Sequence, residues 1–206
     1  MNNIVYELKD GKGLIKEYYK NGNLIFEGEY LKGEKNGKGK EYECFGGILL
    51  FEGEYLNGKR NGKGKEYNIY KENTLEYEGE YLDNKKNGKG IFDNGIIKLY
   101  GIYLYDFMLK GKLYINEKLE YDGEFLYDKK WNGKGYDGKG NIIYEIKNGN
   151  GKIIEYDEFG DILFEGEYLN GKRNGKGKEY NNDKIIFEGE YLNGKRNIKG
   201  KNWLEK

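Results

Sequence analysis

The sequence contains no histidine and no proline, no serine, a single threonine (Thr74) and a single cysteine (Cys44). Nucleophilic catalysis through a Ser/His or Cys/His pair needs an imidazole that this chain cannot supply, and zinc centres need His or Cys ligands in numbers. Most hydrolase and metal chemistry is thereby excluded, and no residue pattern calls for a cofactor or a metal. Cys44 has no second cysteine with which to close an intrachain disulfide, as in proteins of reducing compartments. Long apolar runs are missing too: the most apolar stretch, Leu99 to Leu109, is too short and too polar to span a bilayer. The opening segment MNNIVYELKDGKG has neither the basic start nor the apolar run of a signal peptide. A cytoplasmic location is expected, with any membrane association peripheral.

Charge of one sign is absent in excess, since 36 basic groups face 36 acidic ones. No global field draws the chain to a polyanion, and interleaved glutamates argue against a nucleic-acid partner. A hydrophobic share of 36% and a mean hydropathy of −0.99 would fit a disordered chain. The 16% aromatic content, dominated by 22 tyrosines, contradicts that reading. Aromatic rings in such number predict a packed structure.

What fills the chain is a repeat. Six stretches read aromatic-acid-Gly-Glu-aromatic-Leu, beginning at Phe26, Phe51, Tyr77, Tyr121, Phe164 and Phe187, with their glycines at Gly28, Gly53, Gly79, Gly123, Gly166 and Gly189. A degenerate copy, LYGIYL from Leu99, keeps Gly101 and Tyr103, and copies from Tyr6 and Tyr144 carry Leu8 and Ile146 at the glycine position. The starts near 6, 26, 51, 77, 99, 121, 144, 164 and 187 define a short unit of the kind that stacks into arrays. A longer period lies above it. Residues 144–206 follow the block that begins at residue 6, and FEGEYLNGKRNGKGKEY occurs verbatim at 51–67 and 164–180.

Alternation with period two across F-E-G-E-Y predicts a strand with Phe51, Gly53 and Tyr55 on one face and Glu52 and Glu54 on the other. Glycine weakens a strand interior unless another group occupies the vacant volume, and a ring from the neighbouring strand is expected over Gly53 and its equivalents. The Asn-Gly pairs of NGKRNGKGKEY supply the positive φ of tight hairpin turns, after which the chain returns through KGKEY. The fold expected is all-β: one array over residues 1–206, elongated and twisted, of about nine stacked antiparallel hairpins. Glycine spacing interrupts every candidate apolar stripe, so no helix is predicted.

The repeated Y/F-E-G-E-Y-x-N-G-K-x-N-G-K-G resembles the MORN repeat (membrane occupation and recognition nexus) over essentially the whole chain. The phrase YYKNGNLIFEGEY is also similar to the repeats of bacterial antitoxin-like MORN proteins. The chain departs from the common family pattern in having Tyr or Phe where Trp is frequent, Asn where the turn often carries His, and one additional residue in GKGKEY. That last departure is expected to shift the strand register after Gly64 and its equivalents. The resemblance implies a stand-alone, non-enzymatic scaffold or adaptor, binding proteins or itself, with phospholipid binding or an antitoxin-like role as alternatives.

Three surface features carry the candidate sites. The turns are basic in copy after copy: Lys59, Arg60 and Lys63; Lys85, Lys86 and Lys89; Lys129 and Lys130; Lys172, Arg173 and Lys176; Lys195 and Arg196. Stacked in register they form a stripe able to meet anionic lipid headgroups, or they serve only to keep exposed turns soluble and unpaired. Carboxylate pairs such as Glu52 and Glu54, about 7 Å apart along a strand, fall in the range of glycosidase pairs. A catalytic pair is singular, however, whereas this one recurs, and cross-strand pairing with Lys63 or Lys65 accounts for it. The irregular centre exposes Ile102, Leu104, Phe107 and Met108 to a protein partner, or buries them in a local twist. Trp203 and Leu204 would cap the array or join two copies through their terminal strands.

Overall fold

The computed structural model of the chain describes residues 8–71, 74–197 and 201–202. These fall into two compact units, Met1–Asp93 with Ile102–Asp106, and Asn94–Gly101 with Phe107–Lys206. Among the described residues there is no helix, and within each unit the strands pair antiparallel with their neighbours in sequence, except Lys201–Asn202, which pairs with Lys184–Leu192.

In the first unit the sheet runs from Leu8–Lys9 and Lys12–Tyr18 through Leu24–Leu31, Glu34–Tyr42, Leu49–Leu56, Lys59–Tyr67 and Leu75–Leu82 to Lys85–Asp93. Each hairpin turns on two residues of positive φ, such as Asn57 (49°) and Gly58 (79°) or Asp83 (50°) and Asn84 (69°). That backbone matches the right-handed twist of the flanking strands, and Asn, Asp and Gly tolerate it best. Consecutive turns are tied together: the N–H of Gly58 donates to the carbonyl of Lys35, and that of Asn84 to the carbonyl of Arg60.

The second Asn-Gly of each repeat is not a turn, contrary to the simplest reading of NGKRNGKG. Asn61 and Gly62 lie inside the strand Lys59–Tyr67, where Gly53 faces Gly64 but Tyr55 faces Arg60. Three residues therefore oppose Glu54, and Gly62 (φ 92°) absorbs the bulge. A further register shift falls between Glu66 and Tyr67, where the residue left over is Glu76 of the next strand and not a residue of GKGKEY.

Gly28, Gly39, Gly53, Gly64, Gly79 and Gly90 stand opposite one another from strand to strand, a continuous row across the first unit. The ring over Gly53 comes from its own strand, which corrects the expected origin. A Cβ on Gly53 would lie 2.6 Å from Phe51 Cζ and 2.7 Å from the Cα of Gly64. Side chains lean along the strand, so Phe51 reaches over the residue two positions on and over Gly64 beside it. Phe26, Phe51 and Tyr77 are fully buried this way. The rings continue edge to face from repeat to repeat: Phe26 to Tyr55 at 5.4 Å, Phe51 to Tyr81 at 5.1 Å, and Tyr77 to Tyr103 at 5.3 Å. Each such pair contributes about 0.5–1.5 kcal/mol beyond its buried area.

The second unit repeats this plan from Phe107–Ile115 to Lys184–Leu192, with two short strands beyond. Its glycine row includes Gly111, Gly123 and Gly133, is broken by Ile146 and, on the next strand, by Ile153, and resumes at Gly166, Gly177 and Gly189. In the degenerate repeat Leu99 replaces the first aromatic residue, and Met108 takes over the filling role: its Cε lies 2.5 Å from where a Gly101 Cβ would be. The duplicated block also repeats its contacts. The Tyr42 hydroxyl donates to Glu27 at 2.7 Å and that of Tyr180 to Glu165 at 2.6 Å, while Tyr30 with Glu17 and Tyr168 with Glu155 form the second equivalent pair.

Candidate binding groove and the basic turns

The sheet separates the basic turn residues into two sets. Where the return strand begins, the second basic residue points to the aromatic face. Arg60 lies 4.1 Å over the Phe51 ring and bonds Glu41 and Glu66; Lys86 lies 4.4 Å over Tyr77 and pairs with Glu66 at 2.8 Å. Arg173 covers Phe164 at 4.3 Å between Glu155 and Glu179, and Arg196 covers Phe187 at 4.7 Å beside Glu179. Cation, ring and carboxylates form the lid of the aromatic core, because a guanidinium can stack on a ring while its edge bonds carboxylates. Lys130 goes further and is buried, with its ammonium 2.6 Å from Glu120 and donating to the Tyr144 hydroxyl at 2.8 Å. Burial pulls the Lys130 ammonium below its usual range, opposed by the Glu120 charge.

The first basic residue of each turn stays outside. Lys59 pairs with Asp83 at 3.1 Å and Lys85 with Asp106 at 2.6 Å. Lys129, Lys172 and Lys195, in the second unit, are exposed and have no ion pair among the described residues; the turns that follow Lys129 and Lys172 carry Asn148-Gly149 and Asn193-Gly194, with no acid to meet them.

On the face opposite the rings, the first unit carries a groove of about 1010 Å³. Its floor is the glycine row, and its walls are the residues on either side of each glycine. One wall reads Lys16, Glu27, Lys40, Glu52, Lys65, Glu78; the other includes Lys38, Glu54, Lys63, Glu80 and Lys89. The first wall is paired along its length: Lys16 to Glu27 at 3.2 Å, Lys40 to Glu52 at 3.5 Å and Lys65 to Glu78 at 3.9 Å. On the second wall the glutamates are engaged by the bulges. The N–H of Lys63 donates to Glu54 at 3.0 Å, and the carboxylates of Glu29, Glu54 and Glu80 fold over Gly37, Gly62 and Gly88. Glu52 is held below the usual carboxylate range by the hydroxyl of Tyr67, 2.7 Å away, and by Lys40. A general acid needs the opposite shift, so Glu52 is not prepared for that role.

The MORN repeat family model matches residues 26–42, 51–68, 77–95, 164–184 and 187–201. The chain is a MORN-repeat protein. Each matched MORN repeat holds the aromatic and glycine described above, and the first four also hold the bulge-forming Asn-Gly, where 187–201 has Asn197-Ile198; the units from residues 6, 99, 121 and 144 lie outside the matches. No curated protein matches the sequence. MORN repeats generally take part in protein or membrane-lipid interactions and typically act as non-catalytic binding modules. Among the described residues of this MORN chain, no helix is long and apolar enough to cross a membrane, and no cluster of three or more His, Cys, Asp or Glu could hold a metal ion.

The apolar candidates also separate. Met108 is 2% exposed and belongs to the core, which corrects its assignment to an interaction surface. Ile102 and Leu104 of the first unit and Phe107 of the second are exposed, the last against the Tyr127 ring at 5.7 Å. Trp203 and Leu204 lie outside the described residues. Sequence reasoning missed Lys38 and the Glu54 to Gly62 contact. The signal for both was present as a second Asn-Gly too close to the first to make another turn.

Proposed function

We propose that this MORN chain is a non-catalytic scaffold that binds a protein partner through the grooved face of its first unit. The observation that carries this reading is the separation of roles between faces. Rings and their covering cations are committed to the fold, while the opposite face keeps a long, open, glycine-floored channel. A pre-formed channel lined by rigid main chain costs a partner little ordering entropy on the scaffold side. The test is photo-crosslinking from two positions in the cells that make the protein. A crosslinker at Lys65 in the groove is expected to yield protein adducts that one at Tyr70 on a loop does not. Equal adducts from both positions, or none from Lys65, would overturn the reading.

A second reading rests on the hairpin tips of the second unit, where exposed Leu126, Leu169 and Leu192 stand beside Lys129, Lys172 and Lys195. Apolar and cationic side chains in this arrangement suit an anionic bilayer surface at about 1 kcal/mol per basic residue. Co-sedimentation with vesicles of neutral and of anionic lipid, at low and high salt, tests it: salt-sensitive binding only to anionic vesicles supports it. Absence of binding at low salt removes it. Arg60, Lys86, Lys130, Arg173 and Arg196 are no part of this second reading, since their charges are already engaged beneath the tips.

A further inference from the structure

The groove selects among polypeptide conformations by its width and its period. The two walls are two residues apart on each strand, about 6.6–6.8 Å between α-carbons. An α-helix with its side chains is about 10 Å across and does not enter. An extended or polyproline-type chain does. The groove crosses seven strands, from Lys12–Tyr18 to Lys85–Asp93, which at about 4.8 Å each gives a path of about 29 Å.

The two walls differ electrostatically. One is neutralised by its own pairs. On the other, lysine and glutamate also alternate, with Lys38 opposite Glu54 and Lys63 opposite Glu80, but those carboxylates are turned over Gly62 and Gly88, and Lys38, Lys63 and Lys89 are exposed, without an ion pair among the described residues. These lysines sit on every second strand, hence about 9.6 Å apart. Three residues of a polyproline-type chain advance about 9.3 Å and return to the same side.

Resting on the scaffold reading above, we infer that the groove of the first unit takes an extended polypeptide segment of about nine residues bearing a carboxylate at every third position. The carboxylates meet Lys38, Lys63 and Lys89 in succession, and the two intervening residues lie along the glycine floor and the paired wall.

The test uses the full chain and synthetic peptides of about twelve residues at about 20 mM and about 200 mM salt. A repeating Glu-Pro-Pro peptide is expected to bind at least about tenfold more tightly than a repeating Glu-Pro peptide, although the latter carries more charge at a period of two. A repeating Lys-Pro-Pro peptide is expected not to bind. Combined Lys38→Glu, Lys63→Glu and Lys89→Glu replacement alters exposed side chains without ion pairs and is expected to reverse the preference to Lys-Pro-Pro; circular dichroism confirms the fold. Equal affinity for the two acidic peptides, no binding of either, or an unchanged preference in the triple variant would overturn the inference. Protein adducts from Lys65 alongside any of these outcomes would leave the scaffold reading standing and remove only the acidic three-residue register.

Discussion

Replacement of Glu120 by Gln puts the physics of this fold to its hardest test. In the second unit the Lys130 ammonium is buried and lies 2.6 Å from a Glu120 oxygen, donates to the Tyr144 hydroxyl at 2.8 Å and to the Ile154 carbonyl at 2.9 Å. Tyr144 in turn donates to Glu120 at 2.6 Å. Loss of the carboxylate charge strands an ammonium among the rings of Tyr121, Tyr144 and Tyr156, and breaking one side of a buried pair costs about 3–5 kcal/mol. Lys130→Met combined with Glu120→Leu removes both charges and keeps the volume, so it is expected to recover most of that loss. The Tyr144 hydroxyl is then short of partners, and about 1–3 kcal/mol stays unrecovered. Urea denaturation followed by far-ultraviolet circular dichroism measures all three proteins. The pH dependence has a definite sign. Burial lowers the folded pKa of Lys130 below its value of 10.5, so between those two pH values the unfolded chain binds the additional proton and stability rises with pH. Without the Glu120 charge that opposes burial the folded pKa falls further, so the variant gains more than the parent and the deficit of Glu120→Gln should shrink from neutral pH towards pH about 10. A Glu120→Gln loss under about 1 kcal/mol, or a double variant no more stable than the single one, would refute the account of this cluster.

Other consequences are sharper in direction than in size. Gly53→Ala drives a methyl group to 2.7 Å from the Gly64 backbone and is expected to cost about 3 kcal/mol, against about 1 kcal/mol for Gly33→Ala, where there is open space and only the positive φ resists; paired urea midpoints compare them. Arg60→Gln uncovers the Phe51 ring and releases Glu41 and Glu66, so a loss of about 1–3 kcal/mol is expected, while Lys59→Gln, an exposed pair with Asp83, should change stability by under about 1 kcal/mol. Tyr42 and Tyr67 are pushed up to about 12 by burial and by the hydrogen bonds they donate to Glu27 and Glu52. Their raised folded values give stability that is complete below pH about 10 and is lost as pH climbs towards 12, so the part of the tyrosinate absorbance removed by Tyr42→Phe with Tyr67→Phe should appear together with loss of the sheet signal. Appearance of that part at pH about 10 in a folded chain would contradict this.

Much of the architecture was legible in the sequence because its cause is local. Period-two alternation in F-E-G-E-Y specifies which side chains share a face, and Asn57-Gly58 specifies a hairpin turn from its φ requirements alone. The repetition of both along the chain forces antiparallel hairpins and leaves no stretch for a helix. The absence of histidine limits the available chemistry by composition alone, wherever the remaining side chains come to lie.

What only the tertiary structure decided depends on register between strands. Two Asn-Gly pairs look alike in sequence, yet once Asn57-Gly58 has turned the chain, Gly62 can only be a bulge, and that bulge draws in Glu54. Arg60 and Lys59 are adjacent and equally basic, but the pleat sends one onto the Phe51 ring and the other to solvent. The same alternation buries Met108 and exposes Phe107. The groove, finally, is written in no single repeat: its walls lie perpendicular to the chain direction, and residues distant in sequence become neighbours only when the glycines align strand upon strand.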